Sequence, residues 1–170
     1  MSEKLSKLLK RKKAMLGINA DTKAALESVE PKLTVALPQI TEDFYTHMQR
    51  FSEAERVFSR MPSLGPLKTR QMSHWQSLLS GDLDETYAAR ALAIGEAHFN
   101  RGVAPYLYIA GYNFFQCELI SLVAASYSES DRISAALTAI TRVVSLDVDL
   151  SISVYTRAAW RHKTDEVVQL

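Results

Sequence analysis

The stretch ALAIGEAHFNRGVAPYLYIAGY, Ala91 to Tyr112, decides how the chain reads. A helical run of small residues carries a single histidine, His98. Gly102 stops the run, and Pro105 opens a second, long apolar helix. His98 therefore falls in the last turn before a helix stop, where carbonyls lack partners within the helix. A neutral imidazole there can donate one ring N–H to a carbonyl and turn its other nitrogen outward as a metal ligand. Ala91, Ile94 and Gly95 share the helical face of His98. The spacing predicts a thin apolar face able to lie flat against a planar ligand.

Outward from that stretch, the period of 3.6 recurs through nearly the whole chain, and alternating strand patterns bounded by hairpin turns are missing. The fold class is all-α. Glu3–Leu16 reads as a short amphipathic helix, with Asp21 as the cap of the next, Thr22 to about Thr34. Pro31 is expected to bend or divide that second helix, and Pro38 to sit in the first turn of a third. Leu37, Ile40, Phe44, Met48 and Phe51 make a stripe, with Tyr45 on its flank. Ser52 is expected to cap a short helix over Ser52–Arg60, and Leu67–Leu79 carries Leu67, Gln71, His74, Trp75 and Leu78 inward. Gly81 ends it, and Asp82 or Asp84 caps the helix of His98. Pro105–Tyr127 is long and aromatic, and Ser130 or Asp131 caps the last helix. That helix shows the stripe Ile133, Leu137, Ile140, Val144, Val148, Ile152 and Tyr155.

The 170 residues suffice for one domain with a sizeable core, and 47% apolar with 23% charged residues is ordinary for a soluble protein. A net charge of +1 argues against a general nucleic-acid binder. The basic run KLLKRKK, Lys7–Lys13, reads as a solvated helix face. Cys117 is the only cysteine, which excludes an internal disulfide and a cysteine-rich zinc site. No signal peptide and no run of 18 apolar residues is visible, so a reduced, cytoplasmic setting without a membrane span is expected. GxSxG, HExxH, P-loop and GxGxxG motifs are absent, so no enzymatic activity is assigned. The acidic Asp82, Asp84 and Glu85 read as a helix N-terminus.

The sequence IGEAHFNRGVAPYLYIAGY, Ile94–Tyr112, resembles the globin domain of bacterial globin-coupled sensors, haem proteins in which a globin fold regulates a C-terminal output module. PQITEDFY, Pro38–Tyr45, and LKTRQMSHW, Leu67–Trp75, with the turn LSGDLDE, Leu79–Glu85, extend the match in the same order over roughly residues 20–160. Arg101 departs from the aliphatic residue of the pattern, as do Tyr106 and Leu107 from its bulky aromatic step. The resemblance implies a globin-like fold of seven to eight helices with an extra N-terminal helix: an extension over 1–18, the globin sensor domain over 19–162, and the start of a linker to an output module over 163–170. It implies a haem b held without covalent bonds, since no CxxCH motif is present, with His98 as the proximal iron ligand. Tyr45 becomes the distal hydroxyl donor to dioxygen or another diatomic gas. Phe44, Leu67, Met72, Ile94, Val103 and Tyr108 become pocket residues, with Tyr108 answering to the ligand state beside His98. His74 is either an alternative distal ligand or a residue at the haem edge, while His47 and His162 are expected on the surface.

The two long final helices carry more apolar and aromatic surface than one small domain needs, which predicts a helical homodimer interface. The end, VYTRAAWRHKTDEVVQL, lacks a Gly or Pro stop and reads as a helix continuing into an output module. Two other readings stay open at this level: a stand-alone haem globin handling nitric oxide or oxygen chemistry, and a cofactor-free helical interaction module in which His98 and Tyr45 merely pack.

Overall fold

The computed structural model describes the backbone of residues 3–168 and the side chains of residues 3 and 5–157. Within these, eight α-helices follow one another: α1 (Glu3–Met15), α2 (Ala20–Glu27), α3 (Glu30–Met48), α4 (Ser52–Phe58), α5 (Gly65–Leu79), α6 (Glu85–Asn100), α7 (Pro105–Ser126) and α8 (Ser130–Val168). No strand occurs among the described residues. The all-α expectation holds, and so does the helix count.

The boundaries move where capping chemistry was misjudged. Asn19, not Asp21, caps α2: its side chain accepts from Thr22 N while the Thr22 hydroxyl accepts from Asn19 N, a reciprocal box. The chain breaks at Ser28–Val29, so Pro31 opens α3 rather than bending a helix. Pro38, expected at a helix start, lies inside α3. An interior proline costs about 3 kcal/mol. That cost is outweighed because Leu33, Leu37, Ile40, Phe44, Tyr45 and Met48 are buried along one α3 face, each large apolar side chain worth roughly 1.5–3 kcal/mol. Phe51, by contrast, lies outside the helix as the α4 N-cap and is exposed, and Ser52 makes no capping bond. Asp84 caps α6, its carboxylate accepting from Tyr87 N at 2.7 Å.

Gly81 and Gly102 end α5 and α6 with φ of +74° and +70°, a left-handed backbone that favours glycine. After each stop the chain folds back. α3 packs on α5 and α7, α6 crosses α8, α7 lies along α8, and α2 rests on α8. By length and composition α7 could cross a membrane, with mean hydropathy 1.2 over its best window. Here Tyr108, Tyr112, Phe115, Leu119 and Val123 point one of its faces into the core.

The largest correction concerns α8. Of the stripe read from sequence, Ile140 and Val144 are buried; Ile133, Leu137, Val148, Ile152 and Tyr155 are half-buried on a flank. The inward row is Ala136, Ala139, Val143, Leu146, Asp147, Leu150 and Ser151. The reason is the closeness of α6. A Cβ built on Gly95 would meet the Ser151 carbonyl oxygen at 2.4 Å and its Cα at 2.9 Å. Only a small side chain fits at the point of crossing, where Ser151 faces Gly95, while Val143, Leu146 and Leu150 fill the core on either side of it. The N-terminal helix is docked on the same body: Leu9 is buried, the Ser6 hydroxyl donates to Glu85 at 2.6 Å, Lys13 donates to the Leu83 carbonyl, and Lys12 pairs with Asp149. Lys10 and Arg11, within the same basic run, are exposed.

Candidate functional site

His98 occupies the last turn of α6, half-buried, with Nδ1 donating to the Ile94 carbonyl at 2.8 Å. This bond sets the tautomer and leaves Nε2 with a bare lone pair. Burial holds the imidazole below its ordinary pKa of 6.5, the Ile94 bond opposing and the nearby Arg101 charge adding to the shift. The ring is neutral at pH 7. It meets the Tyr108 ring in a T-shaped pair, 4.6 Å between centroids and 68° between planes. The thin face read from sequence has another use: Ala91 and Gly95 turn to α8, where the Ser151 hydroxyl donates to the Ala91 carbonyl at 3.2 Å. Ile94 and Val103, half-buried, pack on the core beside His98. The Val103 carbonyl accepts from the Tyr155 hydroxyl at 3.0 Å, closing the α6–α7 turn onto α8.

Tyr45, expected on a flank, is only 3% exposed. It stands between Phe44 and Phe58, ring centroids 5.1 and 5.2 Å away, and the Lys68 ammonium lies 5.3 Å from its ring centre. Lys68 in turn pairs with Glu42 at 2.5 Å. Burial first, and then the Glu42 charge, push the Tyr45 hydroxyl well above its ordinary pKa, so it keeps its proton. Leu67 and Met72, on α5, are half-buried, as is Gln71, whose Oε1 is buried without a partner.

Tyr45 and His98 are joined through the core by one aromatic series. Tyr45 touches Phe44, Phe44 touches Phe115 (5.2 Å), Phe115 stacks on Trp75 (4.6 Å), Trp75 meets Tyr112 (5.7 Å), and Tyr112 meets Tyr108 (5.0 Å). His74 is engaged elsewhere. Its ring stacks on Tyr87 and its Nε2 lies 2.6 Å from Asp147 Oδ2. His47 packs against Phe51 and Phe114, and His162 lies outside the described side chains.

The Protoglobin family model matches residues 5–161, nearly the whole chain and most of its N-terminal helix. The chain belongs to the Protoglobin family. One similar curated protein is the haem-based aerotactic transducer HemAT of Halobacterium salinarum, 28% identical over 109 residues, which is 64% of this chain and 22% of that protein. The chain thus spans about a fifth of that relative's length. Among solved structures, the globin domain of a Geobacter sulfurreducens globin-coupled sensor superposes with a TM-score of 0.81 at 18% identity, covering 86% of this chain and 96% of that one. The globin domain of E. coli DosC in its ferrous form gives 0.71 at 14% identity, covering 82% and 96%. These likenesses place the chain in the globin fold.

Against this protoglobin frame, Asp147 is the residue that the sequence reading passed over. It stands on α8, 0% exposed, and accepts from the Tyr112 hydroxyl and from His74, both at 2.6 Å. A signal existed. In VVSLDVDLSIS, Val143–Ser153, Asp147 shares the inward side with Val143, Leu150 and Ser151, and a carboxylate there demands partners.

Proposed function

We propose that this protoglobin-family chain is a haem-binding gas-sensing domain, with His98 as the iron ligand and Tyr45 as the hydroxyl donor to the gas. The observation that carries the reading is the His98 imidazole, neutral, fixed through Nδ1 on the Ile94 carbonyl, and bare at Nε2. The donor set fits haem. Among the described residues no three His, Cys, Asp or Glu side chains converge as a cage for a bare cation, whereas an iron already held by a porphyrin needs one protein nitrogen. Haem b, bound without covalent attachment, would supply a ferrous iron with one open position for a diatomic molecule.

The residues divide the remaining work. The Ile94 carbonyl orients His98 and strengthens Nε2 as a donor. Phe44, Leu67, Met72, Ile94 and Val103 supply apolar walls that keep water out. Tyr45 holds its proton and offers it to dioxygen, which draws negative charge on binding, more usefully than to carbon monoxide. The exposed free thiol of Cys117 suits a reducing, cytoplasmic setting.

Signalling requires two arrangements that the gas distinguishes. We place that element in α7 and α8. Ile109, Asn113, Val144, Val148 and Ile152 line a surface groove between them, and Ile109 is exposed there. A second copy covering this groove makes a homodimer, and α8 leads to a C-terminal output module. Ile152→Glu is expected to convert the dimer to monomer in sedimentation; an unchanged mass places the interface elsewhere.

The deciding test is an absorption spectrum of wild type and His98→Ala, reduced without oxygen and then exposed to air. A Soret band that shifts reversibly in wild type and is lost or grossly altered in His98→Ala is the expected result. No Soret band in wild type supplied with haem removes the proposal.

A further inference from the structure

Asp147 is a carboxylate with no access to solvent, on α8, which touches α2, α5, α6 and α7. Its Oδ2 receives two short bonds, from the Tyr112 hydroxyl of α7 and from His74 Nε2 of α5, each 2.6 Å. The Tyr112 oxygen also lies 3.1 Å from the Tyr108 oxygen. Tyr108 presents its ring to His98 at 4.6 Å. The Tyr87 ring of α6 stacks on His74 at 5.8 Å and 17°. Asp147 Oδ1 and the Tyr87 hydroxyl are both buried and unpaired at this cluster. One turn along α8, the Ser151 hydroxyl bonds the Ala91 carbonyl of α6, the helix that carries His98.

Stability alone is a poor explanation for such a group. Apolar side chains of similar volume often replace a buried ionic cluster without loss. What an apolar replacement lacks is direction. A carboxylate oxygen accepting two short charge-assisted bonds fixes the position and angle of each donor. Here the donors belong to two different helices, and one of them leads within two contacts to the candidate iron ligand.

We propose that Asp147 is a positioning residue for His98. Through Tyr112 it fixes where the Tyr108 ring meets the imidazole, and through His74 it ties that geometry to α5. A displacement of α5 against α6 then reaches α8 and His98 by the same route. The inference rests on the reading of His98 as the ligand-bearing imidazole, but concerns residues that reading leaves without a role.

The chain has four histidines, so a protein labelled with isotopes in histidine alone gives an assignable ring spectrum. We would record it on the protein as purified, reduced and with carbon monoxide if it carries haem. The variants are Asp147→Asn, Tyr112→Phe and, as control, Asp149→Asn, which removes the same charge from the exposed side of α8. The expected result is a shift of the His98 ring resonances in Asp147→Asn and in Tyr112→Phe, and none in Asp149→Asn. In haem-loaded protein the iron–histidine stretching band moves in the same two variants. Tyr112→Phe keeps the ring and loses one hydroxyl, so it decides the matter if Asp147→Asn fails to fold. His98 resonances unmoved while those of His74 shift would overturn the proposal and leave a polar core cluster. A shifted His98 in protein that takes up no haem would sink the haem reading and leave this inference standing; normal haem with an unmoved His98 does the reverse.

Discussion

Replacing Gly95 by alanine tests the closest approach in the fold. The added methyl would lie 2.4 Å from the Ser151 carbonyl oxygen, 2.9 Å from its Cα and 3.0 Å from its carbonyl carbon. Comfortable separations are about 3.5–4 Å, so α6 and α8 must part by roughly 1 Å. The obstructing atoms are backbone inside a long helix, and no rotamer change clears them. Overpacking of this kind costs about 1–3 kcal/mol. Alanine returns about 1 kcal/mol of helix propensity. Parting the helices also weakens the Ser151–Ala91 hydrogen bond, worth about 1 kcal/mol. The net expectation is about 1–3 kcal/mol of destabilisation. For a chain of this size that is a Tm lower by roughly 2–12 °C. Calorimetry on Gly95→Ala beside Gly65→Ala, whose Cβ would meet only the Ser63 hydroxyl at 3.6 Å, separates packing from propensity. If Gly95→Ala matches or exceeds the wild-type Tm, α6 and α8 do not cross this closely and the account of the α8 row is wrong.

Three further outcomes follow from the same structure. Tyr45→Phe preserves the aromatic packing and removes the donor. A charge-assisted hydrogen bond of about 1.5–3 kcal/mol implies dioxygen release about 10- to 150-fold faster in stopped flow, with carbon monoxide little changed; equal effects on both gases would remove Tyr45 from the gas contact. His98 is held below its ordinary 6.5, chiefly by burial. As pH falls through that value the unfolded chain takes up the proton first, so folding stability decreases toward lower pH. The urea midpoint of the haem-free protein should therefore drop between pH 7.5 and pH 5.5 by more in wild type than in His98→Leu, and parallel drops would contradict the burial of the free imidazole. Pro38→Ala, at an exposed site inside α3, restores a backbone donor and should raise stability by about 1–2 kcal/mol after the entropy returned to the unfolded chain; a lower urea midpoint would mean that α3 needs its proline.

Legibility differed by feature for physical reasons. Gly81 and Gly102 were readable because a left-handed helix stop selects glycine locally. The His98–Ile94 bond was readable in kind, since it joins residues one turn apart. Pro38 misled because its local cost is real and is overruled only by what α3 buries. The α8 stripe misled because counting large apolar residues along one line cannot foresee that the close approach of Gly95 to Ser151 sets which side of α8 turns inward, bringing Leu146, Asp147 and Leu150 into the core. Asp147 escaped because its partners, His74 and Tyr112, lie 73 and 35 residues away.

What the sequence by itself determined is whatever depends on neighbours along the chain: helical periodicity, stops, the Asp84 cap of α6, the family motif around His98, and the absence of a second cysteine. These follow from backbone sterics and hydrogen bonds within a turn or two. The tertiary structure alone decided which face each helix buries, that Ala91 and Gly95 serve a helix crossing instead of a ligand, that His74 spends its nitrogen on Asp147, and that Tyr45 and His98 are joined by one aromatic series. Those outcomes depend on distances between helices, which are set when all eight compete for the same interior.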